Sequence, residues 1–176
     1  MPVSKQEDAL GAYTRKRNFG NTPEPLKNDR VSRTRPKRQF VIQRHDASTL
    51  HFDFRLEVDG VLKSWAVPKG PPQAAGIRRL AIKVEDHPLS YAKFEGTIPE
   101  GNYGAGKVKI WDHGWYLPDV QGASDKDINS QIRKGSLKFI LQGRKLKGKF
   151  VLTKFTKGER DQWLLIKRKE DGSDTK

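Results

Sequence analysis

The sequence predicts a mainly β fold: a compact, closed or partly open β-barrel of about eight strands, with one or two short helices and a basic N-terminal arm. Two observations support this prediction. From Phe40 onward, apolar and polar residues alternate in short segments that turn residues interrupt, which is typical of a half-buried sheet. Before Phe40, prolines and charged residues dominate and there is little periodicity. The length of 176 residues suits one domain.

Within this fold we expect three regions. Residues 1–38 form the arm, which packs on or beside the barrel and has one helical pattern, over 6–16. Residues 39–169 form the barrel, and residues 170–176 form a flexible tail. Eight segments of the barrel region have the pattern of strands: 39–45, 50–58, 61–67, 79–85, 106–112, 136–142, 147–154 and 161–168.

Turn and capping residues separate these strands. Asp59 and Gly60 form a typical hairpin turn of the primed type. Residues 68–72 contain three prolines and a glycine and predict a rigid connector rather than a strand. Ser124 and Gly135 enclose a segment with apolar residues four apart, which predicts one capped helix of two or three turns.

The charge of the chain indicates a polyanionic partner. The 35 Lys and Arg residues outnumber the 21 Asp and Glu residues, which gives a formal net charge of +14. Nucleic acid is the partner that we expect, because neutralising its phosphates releases bound counterions. Arg33 and Arg35 lie in the most basic part of the arm and are candidate phosphate-binding residues. The alternative is a solvated arm without a partner.

Several classes of protein are excluded by composition. The chain has no cysteine, so it has no disulfide, thiolate nucleophile or thiolate zinc site, and any metal must be held by His, carboxylate or water. No segment approaches the roughly 18 apolar residues of a membrane span, and the first ten residues lack the pattern of a signal peptide. We therefore predict a cytoplasmic, nucleoid-associated protein with no membrane partner.

One predicted strand carries an unusual polar face. Alternate side chains on a strand share a face, so His51, Asp53 and Arg55 point away from the apolar face of residues 50–58. His45, on the preceding segment, could complete a set of two histidines and one carboxylate around a metal ion. Such a set fits Mn, Fe, Co or Zn. The alternative is an ordinary strand with a solvated polar face.

Other residues near this strand suit phosphate chemistry. The guanidinium of Arg55 can grip a phosphate with two hydrogen bonds, and His87 could donate to a phosphate oxygen or protonate a leaving group. Lys69 and Arg79 are further candidate cations, although either could be a plain surface charge. Residues 101–107 have the glycine spacing of a nucleotide-binding loop but are followed by Val108 instead of Ser or Thr, so we expect a tight loop near the site.

The sequence resembles a known family, the 3′-phosphoesterase domain of bacterial and archaeal DNA ligase D, which also occurs as a stand-alone protein. The resemblance runs from about Tyr13 to Trp163. Its signatures are KRNF at 16–19, TPEP at 22–25, FVIQRHDA at 40–47, HFDFRLE at 51–57, SWAVPKGP at 64–71, VEDHP at 84–88 with Tyr91, and FEGTIPEGNYG at 94–104.

The resemblance implies a manganese-dependent β-barrel enzyme, with Co or Zn as other fitting ions, that trims 3′ ends of DNA before end joining. It implies that 3′-phosphate and 3′-terminal ribonucleoside are removed from primer-template duplexes to leave a 3′-hydroxyl. We expect a monomer whose partners are such DNA ends and the ligase, polymerase and Ku of the end-joining pathway. A non-catalytic nucleic-acid-binding barrel is the alternative, and metal-dependent conversion of a 3′-phosphate to a hydroxyl separates the two.

The resemblance also implies a role for each matching residue. Many members of the family have Asp where this chain has Asn18, so we expect removal of the ribonucleoside to be slow relative to removal of the phosphate. By resemblance, the metal ligands are His45, His51 and Asp53; the residues on the scissile phosphate are Arg55, His87 and Tyr91, with further contacts from Lys69 and Arg79; and the residues for ribonucleoside removal are Arg17, Glu24 and Glu85.

Overall fold

The computed structural model describes residues 10–26, 38–120, 123–155 and 161–169. Eight antiparallel strands form a closed barrel in the order β1-β2-β3-β4-β9-β8-β7-β6, and β6 pairs back with β1. A ninth short strand, β5, extends one edge of β6. The predicted fold class is therefore confirmed. The strands are β1 (Arg38–Asp46), β2 (Leu50–Val58), β3 (Val61–Val67), β4 (Arg78–Pro88), β5 (Gly96–Ile98), β6 (Gly106–Pro118), β7 (Ser136–Gly143), β8 (Lys147–Lys154) and β9 (Gln162–Lys167).

The described helices are α1 (Gly11–Arg15), α2 (Asp125–Lys134) and a 3₁₀-helix, η1 (Leu89–Lys93). The predicted capped helix is confirmed as α2. The Ser124 side chain accepts from the Asp127 backbone N–H, the Asp127 side chain accepts from the Ser124 N–H, and Gly135 ends the helix with φ of 85°. Of the helix predicted over 6–16, residues 11–15 are helical, while residues 6–9 lie outside the described part of the chain. No helix among the described residues is long and apolar enough to cross a membrane.

The predicted turn after β2 is confirmed, because Asp59 and Gly60 both have positive φ, as a primed hairpin turn requires. The predicted ends of two strands are wrong. β4 continues to Pro88 instead of ending at residue 85, and β6 continues to Pro118 instead of ending at 112. The three residues of β5 were not predicted, since so short a segment shows no alternation.

Gly114 explains why the predicted end of β6 is wrong. A glycine after Asp112 and His113 indicates a turn in the sequence, but in the structure it marks a close approach of two strands. A Cβ atom at Gly114 would lie 2.1 Å from the carbonyl oxygen of Gln142 on β7. Only glycine allows the strand to continue past this contact.

The barrel separates two apolar clusters. The larger one fills the interior and includes Phe54, Leu56 and Val58 from the apolar face of β2. The smaller one lies on the outer face, where Tyr13 of α1 and Tyr91 of η1 pack over the first strands. Because these segments cover the outer face, the polar side chains that β1 and β2 direct outward are buried beneath them.

Candidate active site

Three potential metal ligands lie together on the outer face of the barrel. His45 of β1 and His51 of β2 are directly opposite each other, with ring centroids 4.7 Å apart. Asp53 shares the face of His51, two residues along the strand. Its carboxylate oxygens lie 3.4 Å from His45 Nδ1 and 3.2 Å from His51 Nε2. One ligand atom of each residue lies within 4.8 Å of the others, so a single ion could contact all three after small side-chain movements.

Backbone carbonyls orient both histidines. His45 Nε2 is 2.6 Å from the carbonyl oxygen of Gly104, and His51 Nδ1 is 3.1 Å from that of Thr49. A carbonyl oxygen can only accept, so these ring nitrogens donate. In the neutral rings, the lone pairs of the opposite nitrogens then face the carboxylate of Asp53. Either a proton on a histidine or a cation between the groups relieves the repulsion of these lone pairs and the carboxylate, and two imidazoles with a carboxylate are a donor set that divalent metals use.

The charges of the cluster depend on Arg55. Burial alone would raise the pKa of Asp53, but the Arg55 guanidinium and the hydrogen bonds of the two histidines together hold that pKa well below its usual range. Burial tends to lower the pKa of His51, and the hydrogen bond and charge of Asp53 outweigh it and raise that pKa. Asp53 is therefore an anion at neutral pH, as a metal ligand must be.

Arg55 has one free donor beside this cluster. Its Nε donates to Gln43 Oε1 at 2.8 Å, and its Nη2 lies 3.4 Å from Asp53 Oδ2. Gln43 is itself fixed, because its Nε2 donates to the carbonyl oxygens of Tyr91 and Phe94. Arg55 Nη1 is buried and has no hydrogen-bond partner among the described residues. A buried guanidinium nitrogen without a partner is costly, and an anion in the cavity would satisfy it.

A bulge in β4 directs two more functional groups toward the cavity. Leu62 pairs with His87 and Ser64 pairs with Val84, so two residues of β4 face one residue of β3. Such a bulge breaks the strict alternation of the strand. By alternation alone, Glu85 and His87 would share the face of Ala81, which packs in the core. Because of the bulge, both line the cavity on the outer face instead.

Arg17, just after α1, is held in place by two carboxylates. Its Nε donates to Glu24 at 2.8 Å and its Nη1 donates to Glu85 at 3.2 Å, with only 5% of the side chain exposed. The guanidinium also lies 4.0 Å from the ring centroid of Tyr13. Its Nη2 lies 3.2 Å from His87 Nε2, at the edge of the cavity.

Glu24 is the common partner of the segment after α1 and the helix η1. Its carboxylate accepts hydrogen bonds from Arg17 Nε, from the Tyr91 hydroxyl at 2.7 Å and from the Thr22 hydroxyl at 2.9 Å. Burial raises the pKa of Tyr91 far above its usual range, although Arg55 opposes this, so the hydroxyl stays protonated and donates. The Tyr91 ring lies edge-on to His87, with centroids 4.7 Å apart.

His87 is a neutral base in the free protein. Burial, together with the positive charges of Arg55 and Arg17, holds its pKa well below the usual range. Its Nδ1 donates to the carbonyl oxygen of Glu85 at 2.9 Å, which leaves Nε2 as an acceptor. Nε2 accepts from Arg17, so a proton donor in the cavity would have to replace that hydrogen bond.

Most of the residues predicted for the site meet at one cavity of about 210 Å³. Glu24 lies behind it, through Arg17 and Tyr91. Lys69 is exposed, and neither it nor Arg79 lines the cavity. Arg79 lies on the same face of β4 as Ala81, which packs in the core. The predicted residues that line the cavity are Arg17, His45, His51, Asp53, Arg55, Glu85, His87 and Tyr91.

Three predictions about flanking segments have different outcomes. The tight loop predicted over residues 101–107 is confirmed, because Gly101 and Gly104 have positive φ and the Gly104 carbonyl contacts His45. Arg33 and Arg35 lie outside the described residues. Asn18 is exposed, and its side-chain oxygen accepts from the Gly20 N–H at 3.1 Å instead of lining the cavity.

Sequence reasoning missed three residues of the site. Gln43 precedes His45 by two residues on one face of β1, and a polar residue at that position was the available signal. Tyr13 lies beneath Arg17, and Tyr103 lies at the mouth of the cavity, 47% exposed. Tyr13 lies in a segment with little periodicity and Tyr103 lies in the loop that we expected near the site, but neither was predicted as a site residue.

The lowered pKa of His87 predicts how stability depends on pH in the metal-free protein. As the pH falls below about 6.5, the unfolded chain takes up a proton at this position and the folded protein does not, so the free energy of unfolding decreases. His51 has a raised pKa and contributes with the opposite sign. We therefore expect His87→Gln to lose less stability than the wild type between about pH 7.5 and about pH 5.5.

The measurement is urea unfolding at the two pH values in the presence of a chelator. The one-proton limit is about 1.4 kcal/mol per pH unit. His113→Gln is the control, because it replaces an exposed histidine instead of a buried one. Equal losses in wild type and His87→Gln would contradict a neutral, buried His87.

Comparison with known proteins agrees with this geometry. The model of the DNA Ligase D 3′-phosphoesterase domain matches residues 43–154. The chain is 47% identical over 171 residues to the multifunctional non-homologous end joining protein LigD of Pseudomonas aeruginosa, covering 97% of this chain and 19% of that protein. It is 45% identical over 157 residues to the LigD repair protein of Mycobacterium tuberculosis, covering 89% and 19%. The chain thus spans about a fifth of the length of these relatives and belongs to the DNA ligase D 3′-phosphoesterase domain family.

Proposed function

We propose that this chain is a divalent-metal-dependent phosphoesterase that removes 3′-phosphate and 3′-terminal ribonucleoside from DNA ends and leaves a 3′-hydroxyl. The observation that carries this proposal is the free, buried Nη1 of Arg55 beside the metal-ligand set of His45, His51 and Asp53. A phosphate in the cavity could satisfy both at once. Membership of the 3′-phosphoesterase family supports the same reaction class.

The metal set would hold an ion such as Mn²⁺, and Co²⁺ or Zn²⁺ would also suit two imidazoles and a carboxylate. Such an ion, when bound, supplies positive charge to the phosphoryl oxygens. The other roles in the proposed reaction belong to side chains of the protein. Arg55 Nη1 binds a phosphoryl oxygen, and Gln43 and Asp53 keep its guanidinium in that orientation.

Arg17 and His87 would act together at the opposite side of the cavity. In the free protein, Arg17 Nη2 donates to His87 Nε2. A bound phosphate would attract Arg17, and its negative charge would oppose the effect of the two guanidiniums on the pKa of His87. His87 could then take up a proton and pass it to the leaving oxygen. Glu24 and Tyr91 hold Arg17 and the ring of His87 in position.

The size of the cavity favours a chain end. A volume of about 210 Å³ is below the range of roughly 300–1,000 Å³ that is usual for drug-sized ligands. It suits a terminal phosphate or one sugar rather than a stacked base pair. This supports processing of an end over cutting within a strand.

The direct test is single-turnover conversion of a primer–template that ends in a 3′-phosphate, with Mn²⁺ and with a chelator. We expect a 3′-hydroxyl product only with the metal. A matched duplex with a 5′-phosphate is the control and should not react. Binding of both duplexes without conversion of either would instead support the non-catalytic nucleic-acid-binding barrel.

We also propose that the reaction serves end-joining repair, because the relatives are named as non-homologous end joining proteins. In that pathway, a ligase and a polymerase need a 3′-hydroxyl, and Ku would bring the ends together. The monomeric state and the cytoplasmic location predicted from the sequence belong to this proposal.

Asn18 gives a prediction about the balance of the two reactions. An Asp at this position would keep the hydrogen bond to the Gly20 N–H and add a negative charge next to Arg17 in the chain. We expect Asn18→Asp to speed removal of a 3′-ribonucleoside by tens-fold or less, below the roughly 10²–10⁴ of direct acid–base catalysis, and to change phosphate removal little. Single-turnover rates on two primer–templates, one with each 3′ end, give the ratio. An unchanged ratio would show that residue 18 has only a local structural role.

A further inference from the structure

A second cavity lies on the outer face of the barrel, away from the metal-ligand set. It is a groove of about 490 Å³ formed by β1, β6, β7 and the end of η1. Trp115 is one of the residues that line it and is 41% exposed. Gln39 on β1 and Gln142 on β7 pair with Trp115 from its two sides, so the three side chains form one row across the sheet. An exposed indole between two amides offers an apolar face for stacking and polar groups for hydrogen bonds.

The charged side chains that line this groove are basic. They are Lys93 and Arg144, and no Asp or Glu lines it. Neither Lys93 nor Arg144 has an ion pair within the described ranges. Cations without partners around an aromatic ring suit a ligand that has both phosphates and a flat apolar face.

The position of Arg144 is fixed from inside the barrel. Asp112 is buried, and its carboxylate accepts hydrogen bonds from the backbone N–H groups of Arg144 at 2.8 Å, Lys145 at 3.2 Å and Leu146 at 2.8 Å. These bonds set the conformation of the turn between β7 and β8. Because the backbone of this turn is already ordered, binding a ligand at Arg144 carries no cost for ordering the turn.

The groove and the proposed active site share one face of β1. Gln39 lines the groove and His45 is a metal ligand, six residues further along the strand. At about 3.3 Å per residue, they are roughly 20 Å apart. Between them lies η1, which turns Tyr91 toward the active site and Lys93 toward the groove. A DNA strand rises about 3.4 Å per base step, so this distance corresponds to about six steps.

We propose that this groove binds the unpaired 5′ extension of the template strand, with one base stacked on Trp115 and neighbouring phosphates on Lys93 and Arg144. The inference rests on the proposed function, which puts the 3′ end at the metal-ligand set. Six steps from that end, a base inside a duplex has both faces covered by its neighbours. Only an unpaired base has a face free for the indole.

The test is the affinity of the full chain for two DNAs with the same paired sequence and 3′-hydroxyl ends, measured by fluorescence anisotropy. One DNA is blunt and the other has a 5′ extension of about ten nucleotides. We expect Trp115→Ala to weaken binding of the extended DNA about tenfold and to leave the blunt DNA unchanged, while Trp115→Phe keeps most of the affinity. Arg144→Gln should weaken binding of the extended DNA and reduce the slope of log affinity against log salt by about one unit.

Phe155→Ala is the control, because Phe155 is an exposed aromatic residue, at 52%, outside the groove. If Trp115→Ala and Arg144→Gln weaken binding of blunt and extended DNA equally, the proposal is overturned in favour of contacts to the DNA backbone. If neither variant weakens binding of either DNA, it is overturned in favour of another occupant of the groove. Because the DNAs carry no 3′-phosphate, these results do not depend on catalysis. A wild type that binds as expected but removes no 3′-phosphate would refute only the proposed function.

Discussion

Asp53→Asn is expected to reduce removal of a 3′-phosphate by about a thousandfold or more, because loss of the metal forfeits several kcal/mol of transition-state stabilisation. Asp53 is the one carboxylate of the candidate metal set, and both of its oxygens face a histidine nitrogen. An amide of the same shape has no negative charge and directs an NH₂ group at one of those nitrogens. The affinity for Mn²⁺ should fall with the rate.

The measurement combines isothermal titration of Mn²⁺ with single-turnover cleavage, and thermal unfolding checks that the fold is retained. Asp46→Asn is the matched control. Asp46 also lies at the end of β1, but its carboxylate is 47% exposed and pairs with Arg44 instead of a histidine. This control should keep the metal affinity and rate of the wild type. An Asp53→Asn protein that binds Mn²⁺ normally would show that the three residues are not a metal site.

The cluster of three candidate metal ligands could be predicted from the sequence because it depends on strand geometry alone. In β2 the period of two puts His51, Asp53 and Arg55 on one face, and the outward face is where the structure has them. The contribution of His45 follows from the short connection between β1 and β2, which sets the two histidines opposite each other. Local pattern and a short turn were sufficient here.

The other half of the cavity could not be derived from alternation. The bulge in β4 sets Glu85 and His87 on the cavity side, and nothing in the local sequence marks that extra residue. Arg17 and Glu24 reach the site from a segment with little periodicity, through contacts with residues about 70 positions away. Resemblance to the family indicated Arg17 and Glu24, because long-range packing leaves a signal in a set of related sequences and not in the pattern of a single sequence.

The same limit applies to the outer face of the barrel. A strand with one polar face predicts that this face meets solvent. Here Tyr13 and Tyr91 cover it, so Gln43 and Arg55 are fully paired or buried instead of solvated. That cover converts a row of ordinary polar residues into a site where charge interacts strongly, since water no longer screens it. The segment before the barrel therefore contributes to the candidate site itself, through Arg17 and Tyr13, and not only to the positive charge of the chain.

Arg55→Lys is expected to slow removal of a 3′-phosphate by about 10²- to 10³-fold, the usual loss when one donor to a developing negative charge is removed. The guanidinium makes two connections, Nε to Gln43 and Nη2 to Asp53, and its Nη1 is buried without a hydrogen-bond partner. The ammonium of a lysine keeps the charge but is a single point, so it cannot hold both partners and still present a directed donor to phosphate.

Steady-state kinetics and inhibition by inorganic phosphate distinguish this role from a purely structural one. If Arg55 binds the phosphoryl group, Arg55→Lys should weaken inhibition by phosphate as well as lower kcat, while Mn²⁺ affinity changes little because the three ligands are intact. Arg44→Lys is the control, since Arg44 is on the neighbouring strand with half of its side chain exposed. A variant with a lower rate but unchanged inhibition by phosphate would assign Arg55 to support of Asp53 alone, and the free Nη1 would then have no part in binding the substrate.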